Sequence, residues 1–113
     1  METDRDRLLK LSLQGALFLE LTDNMFAISA GFTGHNEIKI RAYCYAAPDD
    51  DDRDSLGTAA SYVFMDFYES GMEADVHQEC VDASAMVVLE DLGFWAIVKQ
   101  RKPTEDTRFT PLP

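Results

Sequence analysis

A chain of 113 residues, 46% hydrophobic and 27% charged, can bury one core and is too short for two domains. Ten Lys and Arg against 21 Asp and Glu give a net charge of −11, which sets nucleic acid and membrane surfaces aside as direct ligands, since both require a basic face. The amino terminus carries both signs of charge. The apolar run after it is broken by Lys10, Ser12, Gln14 and Glu20, so it reads as neither signal peptide nor membrane span, and a cytoplasmic location is expected.

Residues 5–21 come first. Their leucines fit both a strand and a helix period, but Leu, Lys, Gln, Ala and Glu dominate and β-branched residues are absent, which predicts a largely buried helix. Phe26, Ile28, Ala30 and Phe32 then alternate, as do Ile38, Ile40, Ala42 and Cys44. Thr33-Gly34-His35-Asn36 joins the two runs with turn chemistry, so they read as a hairpin. Lys39, Arg41, Tyr43 and Tyr45 give that hairpin a polar, aromatic outer face.

Pro48 ends the second strand, and an aspartate-rich loop over residues 49–54 follows. Leu56, Ala59, Ala60, Val63, Phe64 and Phe67 recur at helical spacing, with an Asp or Ser as cap and Ser70-Gly71 as terminator. Ala74, Val76, Gln78 and Cys80 alternate as a half-buried strand, residues 84–93 read as a loop or short turn, and residues 94–100 form a last strand. The expected fold is α+β, in two layers. A four-stranded antiparallel sheet carries two helices on one face, in the order α-β-β-α-β-β. Residues 1–102 form the single domain and residues 103–113 a loose tail.

The acidity is regional. Residues 49–91 hold thirteen acids and one base, and the rest of the chain is nearly neutral. So one-sided a field speeds association with a cationic partner. No pattern of catalytic residues accompanies it. The aspartate run lacks the Gly and Glu of a calcium loop, and Ser55, Ser61 and Ser70 lack nucleophile contexts. Cys44, Cys80 and His77 lack zinc-ligand spacing, and the two cysteines read as free buried thiols. Asp66 and Glu69, three apart on a helix, read as solvated. No cofactor, metal or catalytic residue is assigned, and the protein reads as a non-enzyme.

One resemblance covers most of residues 8–102. It runs from Leu8-Leu9-Lys10-Leu11-Ser12-Leu13-Gln14-Gly15-Ala16-Leu17 through Ile38-Lys39-Ile40-Arg41-Ala42-Tyr43 and residues 59–67 to Phe94-Trp95-Ala96-Ile97-Val98-Lys99-Gln100-Arg101-Lys102. These segments resemble small acidic bacterial immunity proteins of polymorphic toxin systems, such as contact-dependent growth inhibition. The run of four aspartates and residues 84–92 depart from that pattern. The resemblance implies a protein that binds a cognate basic toxin domain, expected to be a nuclease, and blocks it by charge and bulk. The expected partner-binding residues are Asp49, Asp50, Asp51, Asp52, Asp54, Glu69, Glu73 and Asp75, with Tyr43 and Tyr45 as aromatic anchors. The alternative is an acidic cytosolic adaptor or homodimer that uses the outer sheet face.

Overall fold

In the computed structural model, which describes residues 2–86 and 88–99, helix α1 spans Asp4–Glu20 and opens on a capping box. Thr3 Oγ1 accepts from the Asp6 amide at 3.1 Å, and the Asp6 carboxylate accepts from the Thr3 amide at 3.0 Å. The backbone and side-chain hydrogen bonds from Thr3 hold the Asp6 carboxyl below its ordinary value. Leu9, Leu13, Ala16 and Leu17 line the buried stripe, whereas Leu11 faces solvent, so the helix is buried along one face only.

Strands β1 (Met25–Gly34) and β2 (Glu37–Cys44) form the expected hairpin, which turns at His35-Asn36. Helix α2 (Asp50–Glu69) begins six residues before the apolar periodicity does. The expected acidic loop is therefore the first turn of the helix. Asp49 is its cap, and Asp52 closes a second capping box. Acids suit this position because they face the positive end of the helix dipole. At the far end Gly71 takes a φ of +73°, Gly71 N–H donates to Tyr68 O, and Met72 N–H donates to Phe67 O. That paired closure explains why Ser70-Gly71 stops the helix.

Strands β3 (Asp75–Asp82) and β4 (Phe94–Val98) complete a sheet of order β3-β2-β1-β4. The sheet is mixed rather than antiparallel: β3 runs parallel to β2, and β4 runs antiparallel to β1. The last two strands, read in sequence as joined by a loop or short turn, do not pair, because β3 and β4 occupy opposite edges. The reason lies in α2. A parallel neighbour requires a crossover of a dozen or more residues, and α2 provides it between β2 and β3. The chain after β3 must then cross three strand spacings, roughly 14 Å, to reach the other edge.

Both helices pack on one face, where Leu9, Leu13, Leu17, Leu56, Val63 and Phe67 meet Ile28, Ile38 and Ile40. The chain linking β3 to β4 crosses the opposite face, and Ala83, Met86 and Leu89 join Phe26, Tyr43, Tyr45 and Trp95 in a second, smaller cluster. What reads in sequence as a short turn is a strap. The expected tail, residues 103–113, lies outside the described residues, as does the expected end of β4 at Gln100.

Gly15 lies exposed in the interior of α1 with no atom within 4 Å of where a Cβ would stand. Glycine there costs backbone entropy without easing any contact. Gly15→Ala is expected to stabilise the protein by about 0.8–1 kcal/mol, read as a rise in the urea midpoint at unchanged slope.

Candidate functional site

The tertiary structure sorts the thirteen acids into different occupations. Asp52 is 2% exposed. It accepts from Thr22 Oγ1 at 2.6 Å, Asn24 Nδ2 at 2.8 Å and the Asp49 amide at 3.1 Å. Burial pushes its pKa upward, but these hydrogen bonds outweigh burial and hold it below the ordinary value. Asp52 therefore joins the loop after α1 to the start of α2, and it is removed from the expected contact set. Asp49 is spent on the cap. Glu79 pairs with Arg41 and Lys39, and Glu90 pairs with Arg41. Burial raises the Glu79 pKa, and the hydrogen bonds from Arg41 and Lys39 more than reverse that. Asp82 accepts from the Ser84 amide and Asp91 from the Gly93 amide, so both fasten the strap.

The acids left facing solvent fall into two groups. Asp50, Asp51 and Asp54 surround the start of α2, and Glu69, Glu73 and Asp75 surround its end. A helix of 20 residues holds these groups about 30 Å apart. The regional acidity seen in the sequence is therefore not a single patch: the helix between the two groups is a spacer. Arg53 pairs with Asp50 at the first group. Among the described residues no cation pairs with Glu69, Glu73 or Asp75, and α2 has no basic residue in its last turn.

Between the two acid groups lies a feature the sequence analysis missed. Leu56, Ala59, Ala60, Val63 and Phe67 face the core. The same 3.6-residue period turns Tyr62, Phe64, Met65 and Tyr68 outward, each at least 45% exposed. Phe64, expected in the core stripe, is corrected to the surface: it lies off the centre of that stripe, on the side facing β3. Leu11, 64% exposed on α1, extends the apolar surface across a shallow groove shared with Ser12, Gly15, Ala16, Tyr62 and Asp66. Ser12 donates to Asp66 across the groove and pins the two helices together. Large aromatic and Met side chains collected on an otherwise polar surface are the composition of interface cores. The signal was present in the sequence as the large apolar residues that the buried stripe leaves over.

The other aromatic expectations fare differently. Tyr43 is 2% exposed, its hydroxyl donates to Glu90 O at 2.8 Å, and the strap covers it, so it is corrected from anchor to core. Tyr45 is half-buried, with its ring 4.8 Å from that of Phe26. The outer sheet face required by the homodimer alternative is largely occupied by this second cluster. His77 lies on the opposite face of β3 from Cys80, because alternate residues point to opposite sides. Burial pushes the Cys44 thiol up to about 12 and raises that of Cys80, so both remain protonated at neutral pH. Among the described residues no three His, Cys, Asp or Glu side chains converge as a metal set, and no helix is long and apolar enough to cross a membrane.

No curated protein matches the chain. A family model described as MafI2 immunity protein matches residues 6–106, from the first turn of α1 through β4, and takes in the whole outward surface of α2. That match makes a toxin the expected kind of partner, and the chain belongs to the MafI2 immunity protein family.

Proposed function

We propose that this protein neutralises a basic toxin domain, of the nuclease class, by seating it on the outward face of α2. The observation that supports this reading is one helix face carrying Tyr62, Phe64, Met65 and Tyr68, with unpaired acids at its carboxyl end. A nuclease active site is cationic because it must hold phosphates. Glu69, Glu73 and Asp75 would attract such a site, and the apolar side chains would hold it once seated. Charge then governs the rate of capture, and buried aromatic contacts govern the rate of release. The protein acts by occupation rather than by chemistry, as one domain over residues 1–102, in the cytoplasm where a toxin would arrive. Asp50, Asp51 and Asp54 form a second, outlying contact zone in this reading.

The test uses the toxin domain encoded by the gene upstream of its own. Association of the purified pair is followed by stopped flow across a salt series, alongside growth of cells expressing both proteins. The combined replacement of Glu69 and Glu73 by Gln and of Asp75 by Asn is expected to slow association at least about tenfold at low salt, with the difference shrinking as salt rises. Tyr62→Ala and Tyr68→Ala are expected to speed dissociation instead, by roughly thirtyfold or more where the residue is a hot spot. Unchanged rates in all of these variants would place the interface elsewhere.

A further inference from the structure

The carboxyl end of α2 contains a hollow of about 380 Å³, formed by Asn36, Phe64, Tyr68, Glu73, Ala74 and Asp75. Its composition is specific. Two aromatic side chains, 45% and 64% exposed, provide ring faces. Two carboxylates with no cation partner among the described residues provide charge. The end of α2 adds the negative pole of the helix dipole, and Glu69 in the last turn reinforces it rather than opposing it. An acid at a helix carboxyl end with no base paired to it is locally unfavourable, and an incoming cation relieves that repulsion.

We infer that this hollow receives an arginine side chain of the toxin, with its guanidinium against Tyr68 and Phe64 and its N–H groups on Glu73 and Asp75. This rests on the reading of α2 as the toxin-binding face, and it names the anchor. Arginine fits better than lysine for a stated reason. A planar guanidinium stacks on an aromatic ring and offers a fork of donors to carboxylates, whereas an ammonium is a compact, strongly hydrated point charge. The same end of the molecule already uses this chemistry internally. The Arg5 guanidinium lies 5.1 Å from the centroid of Phe32 and 6.0 Å from that of Phe67. Its hydrogen bonds go to His35 O at 3.2 Å and Asn36 Oδ1 at 3.3 Å. Arg5 is thus committed to the hairpin turn and forms no ion pair with Glu73 or Asp75.

The test titrates isotope-labelled protein with N-acetyl-arginine amide and, separately, with N-acetyl-lysine amide, following backbone amide shifts. Saturable shifts centred on residues 68–75 and Asn36 are expected, with arginine amide binding about threefold to tenfold more tightly than lysine amide. Tyr68→Ala and Asp75→Asn should each weaken arginine amide at least threefold, while Asp23→Asn, in the exposed turn after α1, leaves it unchanged. All three side chains are exposed, so the variants are expected to keep the native spectrum elsewhere. Three results would overturn the inference: no saturable shift with arginine amide, equal binding of the two amides, or shifts centred on residues 50–54. Failure of the wider reading would look different. Arginine amide would still bind at residues 68–75, but the protein would neither bind the toxin nor protect cells from it. Full protection by Tyr68→Ala with tight toxin binding would remove the arginine anchor and leave the immunity role standing.

Discussion

Gly31→Ala is expected to destabilise the protein by about 3 kcal/mol, lowering the thermal midpoint by more than about 10 °C. Gly31 lies on β1 where the end of the strap crosses the sheet. A Cβ there would overlap the Leu92 carbonyl oxygen and stand 2.7 Å from the carbonyl carbon. The obstacle is backbone, so no side-chain rotation can relieve it. The contact is reciprocal, since a Cβ on Gly93 would stand 2.9 Å from Ala30 O. Nor can the strap move away cheaply. Ser29, fully buried beside it, accepts from the Leu92 amide at 2.7 Å and donates to Phe94 O at 3.0 Å. Thermal and urea unfolding followed by circular dichroism would measure the loss, with Gly15→Ala as the opposite-signed control. A Gly31→Ala protein as stable as the parent would mean that the strap does not lie against β1 as described.

Asp52→Ala is expected to cost about 2–3 kcal/mol at pH 7, from lost hydrogen bonds to a charged group and a broken cap. The variant strands donors on Thr22 and Asn24 and frees the Asp49 amide. The pH dependence carries the diagnosis. Hydrogen bonding holds the Asp52 pKa below its ordinary 3.8 despite burial. A carboxylate with a depressed folded pKa stabilises fully above the unfolded value and loses that contribution as pH falls through the folded one. The stability gap between parent and variant should therefore be full at pH 7, begin to narrow below about pH 4, and continue narrowing with further acid. A gap that stayed constant from pH 7 to pH 2.5 in urea titrations would show that Asp52 acts through packing and not through its charge.

The two residues also show how differently the sequence speaks at different positions. Asp52 sits in a run of four aspartates that are indistinguishable by composition. Its burial follows from a three-residue offset to Asp49 and from Thr22 and Asn24 arriving from a distant loop, and neither fact lies in the run itself. Tyr43 is a similar case. Alternation assigns it to the outer face of β2, and it is there, but alternation cannot know that Ala83, Met86 and Leu89 come to lie over that face and bury it. Tyr62, Met65 and Tyr68 went unread as a site, although the periodicity of α2 contains them. Once the buried stripe of α2 is drawn, they must point away from it.

Local pattern alone determined the α+β class, the first hairpin, the buried stripe of α2 apart from Phe64, and its stop at Ser70-Gly71, because each depends on residues within one or two turns or strands of one another. The acidic character of the middle of the chain was equally plain. Strand partnership was not. A half-buried strand reads the same beside a parallel or an antiparallel neighbour, so nothing within residues 75–82 or 94–98 reveals their places at opposite edges. That choice belongs to the tertiary structure, through the length of the α2 crossover and the strap that must then span the sheet. The same helix decided the electrostatics, since 20 residues of rigid spacer turn one acidic segment into two separate poles and leave an aromatic face between them.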